Sequence, residues 1–590
     1  MRTSFLQDLY LQRPVTFTVL ICILSVLPWI AMGDFSTKGE PREAAVAISM
    51  LESGNFILPT SYADEFAYKP PMAHWLMALC SLPQGYVSEF TSRLPSALAF
   101  IVLIGFILAF FGKRVNKFQE AFIATCLLIT CAEIHRAAMT TRVDMLLTMF
   151  MVVGLIQLYR WEEFQELKGL PITIPLLLGC AVLTKGPVGI ILPLFVFGVY
   201  LLILNKYRFF TIVKALFYIG LSSLFLPMLW YIAAWRQGGE EFLNVVIAEN
   251  FGRFFHLETP LIDYKLGHEN GVWYNFMTLM VGFIPWTFLF IFSLFALKIH
   301  KPNSSLKAIW KKAWTRIRSM EKVRLFSLVA LVCILFFYSI PSSKRSVYLM
   351  PAYPFIALFL AQYMIYLAEY KTKVVRFFAV FMFTVVSIAT LALGLTMAGL
   401  IHPVSLVEPY SQEAHVLYTV ETITGMITSP NLLTISIFIL LFASVCTLGY
   451  QMFRKIYIKI LYAIFALMFC VNLLIDGVIM LGERRSKTTR FFAEQIKKDY
   501  PLGKDNVFVM NHPLEYKNLY SLNFYLGDIF HNFEEVQPQE GFFLSGDKDL
   551  EKVIKKYEDL YTFTPLTSTE REVQEDVRQI VVLSRFIRKP

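Results

Sequence analysis

Two carboxylates three residues apart, Glu40 and Glu43, flank Arg42 in Gly39-Glu40-Pro41-Arg42-Glu43. Pro41 suits a first helical turn, and the spacing puts both carboxylates on one helix face. Such a pair can orient or deprotonate a hydroxyl. Acidic residues in a first turn are equally ordinary partners of the helix dipole. Asp34 precedes the pair, and Asp144 follows far downstream in Val143-Asp144. The cations fall at breaks between apolar segments: Lys69 before Pro70-Pro71, Lys185 in Leu183-Thr184-Lys185-Gly186-Pro187, and Lys344-Arg345 just before Val347-Tyr348-Leu349-Met350-Pro351. Charges at a membrane boundary are costly unless they snorkel, pair or serve a ligand. At broken helix ends, free N–H groups beside a cation favour an anion such as a lipid phosphate. Arg93, in Ser92-Arg93-Leu94-Pro95, is a further cation at that level.

The elements that must hold these residues are membrane helices. Of 590 residues, 56% are hydrophobic and only 17% charged, against about 25% in soluble domains. About thirteen apolar stretches near spanning length are expected, at 15–33, 90–111, 119–134, 143–158, 171–184, 187–204, 209–232, 273–297, 325–341, 346–368, 375–401, 431–452 and 456–481. A short interfacial helix is expected over 72–83. The first stretch lacks a small-residue cleavage site and reads as an uncleaved helix. With the N-terminus cytoplasmic, the basic loops 113–117, 205–208, 298–324, 370–373 and 453–455 all fall inside, as the positive-inside rule requires. The net charge of +10 is then explained by anionic lipid, and no nucleic-acid partner is implied.

This alternation leaves loops 33–89 and 236–272 outside, together with everything from 482 onward. The expected architecture is a polytopic α-helical domain over 1–481 followed by a small extracytoplasmic α/β domain over 482–590. In the latter, helices are expected over 486–499 and 548–557, with strand-like runs at 507–510, 541–544 and 579–583. The cysteines (Cys22, Cys80, Cys126, Cys131, Cys180, Cys333, Cys446 and Cys470) lie in apolar stretches without zinc-like spacing, as small buried hydrophobes do.

The order of motifs resembles the aminoarabinose transferases of lipid A and, more broadly, the protein O-mannosyltransferases of the GT-C fold. Gly39-Glu40-Pro41-Arg42 stands where that family has Asp-Glu-x-Arg. The element from Ser53 to Pro59 and then Tyr68-Lys69-Pro70 follow in the family's order, as do Val143-Asp144 and Thr184-Lys185-Gly186. Further on come Glu249-Asn250-Phe251-Gly252-Arg253-Phe254, His268 through Trp273-Tyr274, Ile284-Pro285-Trp286, and Tyr348 to Pro351. The matches run in order from roughly 15 to 360; the last third agrees only in layout. Gly39 replaces the family's first carboxylate, which leaves Glu40 as its nearest substitute, with Asp34 and Glu43 in reserve. Tyr68 replaces a glutamate that the family pairs with the histidine at a divalent metal. His268 thereby loses a co-ligand, and no metal is assigned.

The resemblance implies a glycosyltransferase of a bacterial inner membrane that takes its sugar from a polyprenyl-phosphate donor on the periplasmic face, with inversion. The acceptor would be lipid A, another glycan or a protein, and the sugar aminoarabinose or a hexose. Glu40, Asp144 and Glu43 are the expected catalytic carboxylates. Lys69, Lys185, Arg345, Lys344, Tyr348 and Arg42 are expected at the donor phosphate. Asp34, Arg93, Glu249, Arg253, His268, Trp273 and Tyr274 are expected around the substrate cavity. Neither a P-loop nor a GxGxxG is present, so no nucleotide site is expected. A lipid or sugar transporter is the main alternative, which would call for inverted repeats with broken helices at the midplane. A non-catalytic envelope scaffold is the other.

Overall fold

The computed structural model describes residues 12–67, 69–115, 117–247, 270–297, 305–341, 343–512, 515–573 and 577–590. Each of the expected apolar stretches coincides with helix. Among the described residues, eight helices are long and apolar enough to cross a membrane. Two bent pairs, Phe118–Thr130 with Ala132–Ala138 and Tyr274–Gly282 with Trp286–Leu294, bring the number to as many as 10. The remaining stretches are the shorter apolar helices Pro14–Ile30, Thr173–Lys185 and Val188–Leu204. The chain is a polytopic α-helical membrane protein. In hydrocarbon a helix satisfies its own backbone, which is why these apolar runs adopt that form even around Pro95, Pro193 and Pro227.

The central helices Glu89–Phe111 and Val143–Gln165 pack Phe100, Leu103, Met151 and Leu155 into one continuous core. Peripheral helices do the opposite. Phe209–Ile247 exposes Phe209, Phe210, Phe217 and Phe225, a surface suited to acyl chains and not to water. The two ends of the bundle differ in chemistry. One gathers Arg114–Glu163, Lys206–Glu166, Lys117–Glu369 and Arg324–Glu120, so described residues of or beside four of the five loops expected to be cytoplasmic share one end. The candidate site occupies the other.

Several boundaries differ from expectation. Phe209–Ile247 continues helical through a kink at Gly239 (φ 59°), so the first part of the expected loop 236–272 is helix. The rest, 248–269, lies outside the described residues. The last apolar segment runs from Tyr457 to Lys487, with a π-helical turn at Ile475–Ile479, past the expected boundary at 482. Beyond it lies a five-stranded sheet in the order His531–Asn532, Val507–Val509, Glu540–Gly546, Val581–Arg588, Tyr561–Ser568. The first three strands run parallel, and the last two pair antiparallel. Helices Arg490–Asp499 and Asp547–Lys556 lie near their expected places. Strand Tyr561–Ser568 went unanticipated because its exposed middle lacks a clean alternation.

This C-terminal unit packs onto the loop after the first span. Tyr62 and Ala63 enter the core made by Phe492, Ile496, Leu522 and Phe530. Asp528 accepts from the Tyr62 N–H at 3.0 Å and the Ser61 hydroxyl at 3.1 Å. Arg490 pairs with Asp34 at 2.6 Å and Glu89 at 3.2 Å, and the Tyr525 hydroxyl joins the Phe35 N–H to Glu89.

Candidate active site

Helix Gly39–Ser53 carries Glu40 and Glu43, and both are buried. Glu40 faces inward onto Arg93, whose Nε donates to it at 2.9 Å. The Thr141 N–H donates to the same oxygen at 3.0 Å. Burial would raise the Glu40 carboxyl, but Arg93, Arg484 and the Thr141 amide together hold it below the usual carboxylate range. Arg93 is 0% exposed and also donates to the carbonyls of Ile30 and Gly33. These two residues lock the start of the loop to the second span; neither presents a free group to a substrate.

Glu43 gathers cations. Lys69 pairs with one carboxylate oxygen, Arg42 with the same oxygen at 3.1 Å, and His74 Nε2 with the other at 3.0 Å. Burial opposes ionisation here too, yet Lys69, the His74 hydrogen bond and Arg42 hold Glu43 well below the usual range. So low a proton affinity makes it a poor base at neutral pH and a good positioner of Lys69. Lys69 stands at the start of a turn that feeds Met72–Ser81, and Met72 packs against the small apolar cluster of Leu58, Leu183, Trp230, Ala234 and Phe242.

Asp144 begins the span Val143–Gln165 and forms an ion pair with Lys185, the last residue of Thr173–Lys185. Lys185 is placed by a sharp reversal. Gly186 takes φ 81°, and a Cβ at Gly189 would lie 2.4 Å from the Ala181 backbone, so only glycine lets the two helices close here. The Lys185 ammonium lies 4.4 Å from the centre of the Tyr348 ring, which stacks on Tyr338 at 5.5 Å. Arg142 and Arg345 are both close enough to act on the Asp144 charge. Arg345 is exposed and opens the 3-10 turn Ser346–Ala352, which the Ser346 hydroxyl ties to Glu133 at 2.9 Å.

The Glu40–Arg93 pair, the Glu43–Lys69 group and the Asp144–Lys185–Tyr348 group lie on neighbouring elements at one end of the bundle: Glu40 grips Thr141, three residues before Asp144, and helix Met72–Ser81, which follows Lys69, packs on Thr173–Lys185. Lys344 is not part of these groups. It is buried, and it exchanges hydrogen bonds with Asn270: its ammonium donates to the Asn270 carbonyl at 3.1 Å and Asn270 donates back at 3.0 Å. Asp34 is engaged by Arg490. Trp273 is exposed and Tyr274 half-buried at the start of Tyr274–Gly282. Glu249, Arg253 and His268 lie outside the described residues, as does Tyr68. Among the described residues no group of three His, Cys, Asp or Glu side chains could hold a metal ion.

His74 and Arg142 were missed in the sequence. His74 sits on an apolar helix where a lone histidine is ordinarily structural; Arg142 immediately precedes Val143-Asp144, and that adjacency was the available signal.

Comparison with known proteins bears on the fold. Residues 68–235 match the family described as dolichyl-phosphate-mannose-protein mannosyltransferase. The structure of ArnT from Cupriavidus metallidurans bound to undecaprenyl phosphate superposes with a TM-score of 0.66 at 18% identity, covering 96% of this chain and 97% of that one. The chain has an ArnT-like GT-C fold. An uncharacterized protein of Aquifex aeolicus is 30% identical over 368 residues, 60% of this chain and 65% of that protein. The undecaprenyl phosphate-alpha-4-amino-4-deoxy-L-arabinose arabinosyl transferase of Shewanella sediminis is 22% identical over 383 residues, 63% of this chain and 64% of that protein. The chain therefore spans just under two thirds of the length of these curated relatives. Of the candidate site residues, Lys69, Arg93, Asp144 and Lys185 fall inside the matched family segment, and Glu40, Arg42, Glu43, Arg345 and Tyr348 lie outside it.

Proposed function

We propose that the protein is a membrane glycosyltransferase that moves a sugar from a polyprenyl-phosphate donor to an acceptor on the extracytoplasmic face of a bacterial inner membrane. The observation that carries this reading is the pairing of Asp144 with Lys185 beside Tyr348, at the end of a helix on which Met72–Ser81, the element after the Glu43–Lys69 pair, packs. Carboxylates sit beneath cations whose outer faces remain partly exposed: Lys69 by 31%, Lys185 by 27% and Arg42 by 43%. In this reading a diester phosphate entering from the outer leaflet is held by Lys185, with Arg345 and Lys69 as its further cations.

In this reading the donor phosphate draws Lys185 away from Asp144 and frees a carboxylate beside the acceptor. Asp144 takes the proton of the acceptor nucleophile as its bond to C1 of the sugar forms. The C1–O bond breaks with its electron pair going to the phosphate, where the cations stabilise the growing charge. Polyprenyl phosphate leaves, and a single displacement inverts the anomeric centre. Glu40 is assigned to anchoring rather than proton transfer because both of its oxygens face Arg93 and Thr141. Lipid A, another glycan and a protein are the candidate acceptors, with aminoarabinose or a hexose as the sugar. No metal enters a step.

Reconstitution in liposomes with an extract of polyprenyl-linked sugars tests the reading. Release of free polyprenyl phosphate together with one added sugar on an acceptor is expected. Movement of the intact lipid-linked sugar across the bilayer, without release, would establish transport instead.

A further inference from the structure

At the end of the bundle opposite the candidate site, helix Leu306–Arg318 stands apart from the core. Ile309, Trp310, Ala313, Trp314 and Ile317 recur at the spacing of one helical stripe. Lys307, Lys311, Lys312, Arg316 and Arg318 fill the remaining arc, and the helix contains no carboxylate. Trp310 is 75% exposed and Trp314 45%. Among the described residues the helix's last turn is tethered: Ile317, with Met320 beyond it, packs on the core, and Arg318 lines a cavity with Asn205 and Leu325. That cavity lies at the end of the bundle where Lys206 pairs with Glu166.

A few residues later the chain enters Lys322–Ser339, a span of 18 residues, which rises about 27 Å, close to the ~30 Å hydrocarbon thickness. Its Lys322 end therefore sits at headgroup level, and the preceding helix leaves the bundle at that height. We propose that Leu306–Arg318 is an interfacial helix that binds anionic lipid headgroups, with the Ile/Trp stripe at the acyl boundary and the cations on the headgroups. The charge balance selects the occupant: cations without a single carboxylate match an anionic surface, and two tryptophans on the apolar stripe match the boundary between water and hydrocarbon. A helix this short is marginal in water by itself, so its amides report directly on whether a surface holds it.

The test is hydrogen–deuterium exchange over 305–320 in the full chain, in nanodiscs of pure phosphatidylcholine and of phosphatidylcholine with 30% phosphatidylglycerol. Exchange at least tenfold slower in the anionic discs is expected. The surface variant K307Q/K311Q/K312Q/R316Q is expected to exchange in anionic discs as the native chain does in neutral ones. Equal exchange in the two bilayers, undiminished protection in the variant, or protection only after a second protein is added would each overturn the proposal.

Discussion

Arg93 and Glu40 face each other without contact with bulk water, and each also binds backbone from a different element. Removing one partner of such a buried pair leaves the other charge uncompensated, at a cost of roughly 3–5 kcal/mol. Glu40→Gln is therefore expected to lower thermal stability and yield, with any loss of turnover tracking the loss of folded protein. Asp144→Asn is expected to differ: a smaller loss of melting temperature, since the freed Lys185 is 27% exposed and can be solvated, with transfer reduced by about 10²-fold or more if Asp144 is the general base. Thermal melts beside turnover, measured on matched amounts of folded protein, separate the two. Glu43 gives a pH prediction. Its carboxyl is held well below the usual range, by Lys69, His74 and Arg42 acting against burial. A lowered folded-state pKa contributes stability that is fully present above the unfolded value of about 4.3 and is lost as pH falls through the folded value. Melts between pH 8 and pH 5 should therefore show no decline from this group. Below that, Glu43→Gln should show a shallower acid-side fall than the native protein.

The element that positions all of this is the loop after the first span, which is held from two sides, by Arg93 from the membrane and by the C-terminal unit from above. Asp528 is the hinge of the upper contact, accepting from Tyr62, Ser61 and Asn523. Asp528→Ala leaves those donors buried and unpaired and should cost about 1–3 kcal/mol. Asp528→Asn retains an acceptor oxygen while removing a buried charge whose pKa burial has raised, and should be nearly neutral. Limited proteolysis of the loop, alongside melts, reads both. Which parts were legible in the sequence follows from the range of the forces involved. Spans and the Lys185 break are set locally, by hydropathy and by Gly186-Pro187, and were readable. The clamp was not, because Tyr62 and Asp528 are 466 residues apart and nothing near either one names the other. Nor could a three-residue spacing show that Glu40 points at Arg93 while Glu43 collects Lys69, since Arg93 comes from the next span. The loop expected over 236–272 failed in part for a related reason: the polar stretch after Arg236 still continues the helix to Ile247.

At the scale of the whole molecule, polar groups are divided between two ends of a lipid-facing bundle, structural ion pairs at one and the paired carboxylates and cations at the other. That division gathers both candidate groups at one end of the bundle, and the ArnT-like fold extends over 96% of the chain. Lys69→Ala with Lys185→Ala should raise the KM for the lipid donor at least tenfold while leaving acceptor KM little changed, read by steady-state kinetics in proteoliposomes. The most direct test is mass spectrometry of envelope lipids, glycans and proteins from cells carrying the native protein or Asp144→Asn at equal membrane abundance. A species heavier by one sugar in the native cells and absent in the variant is the predicted result; identical profiles from the two would contradict the account.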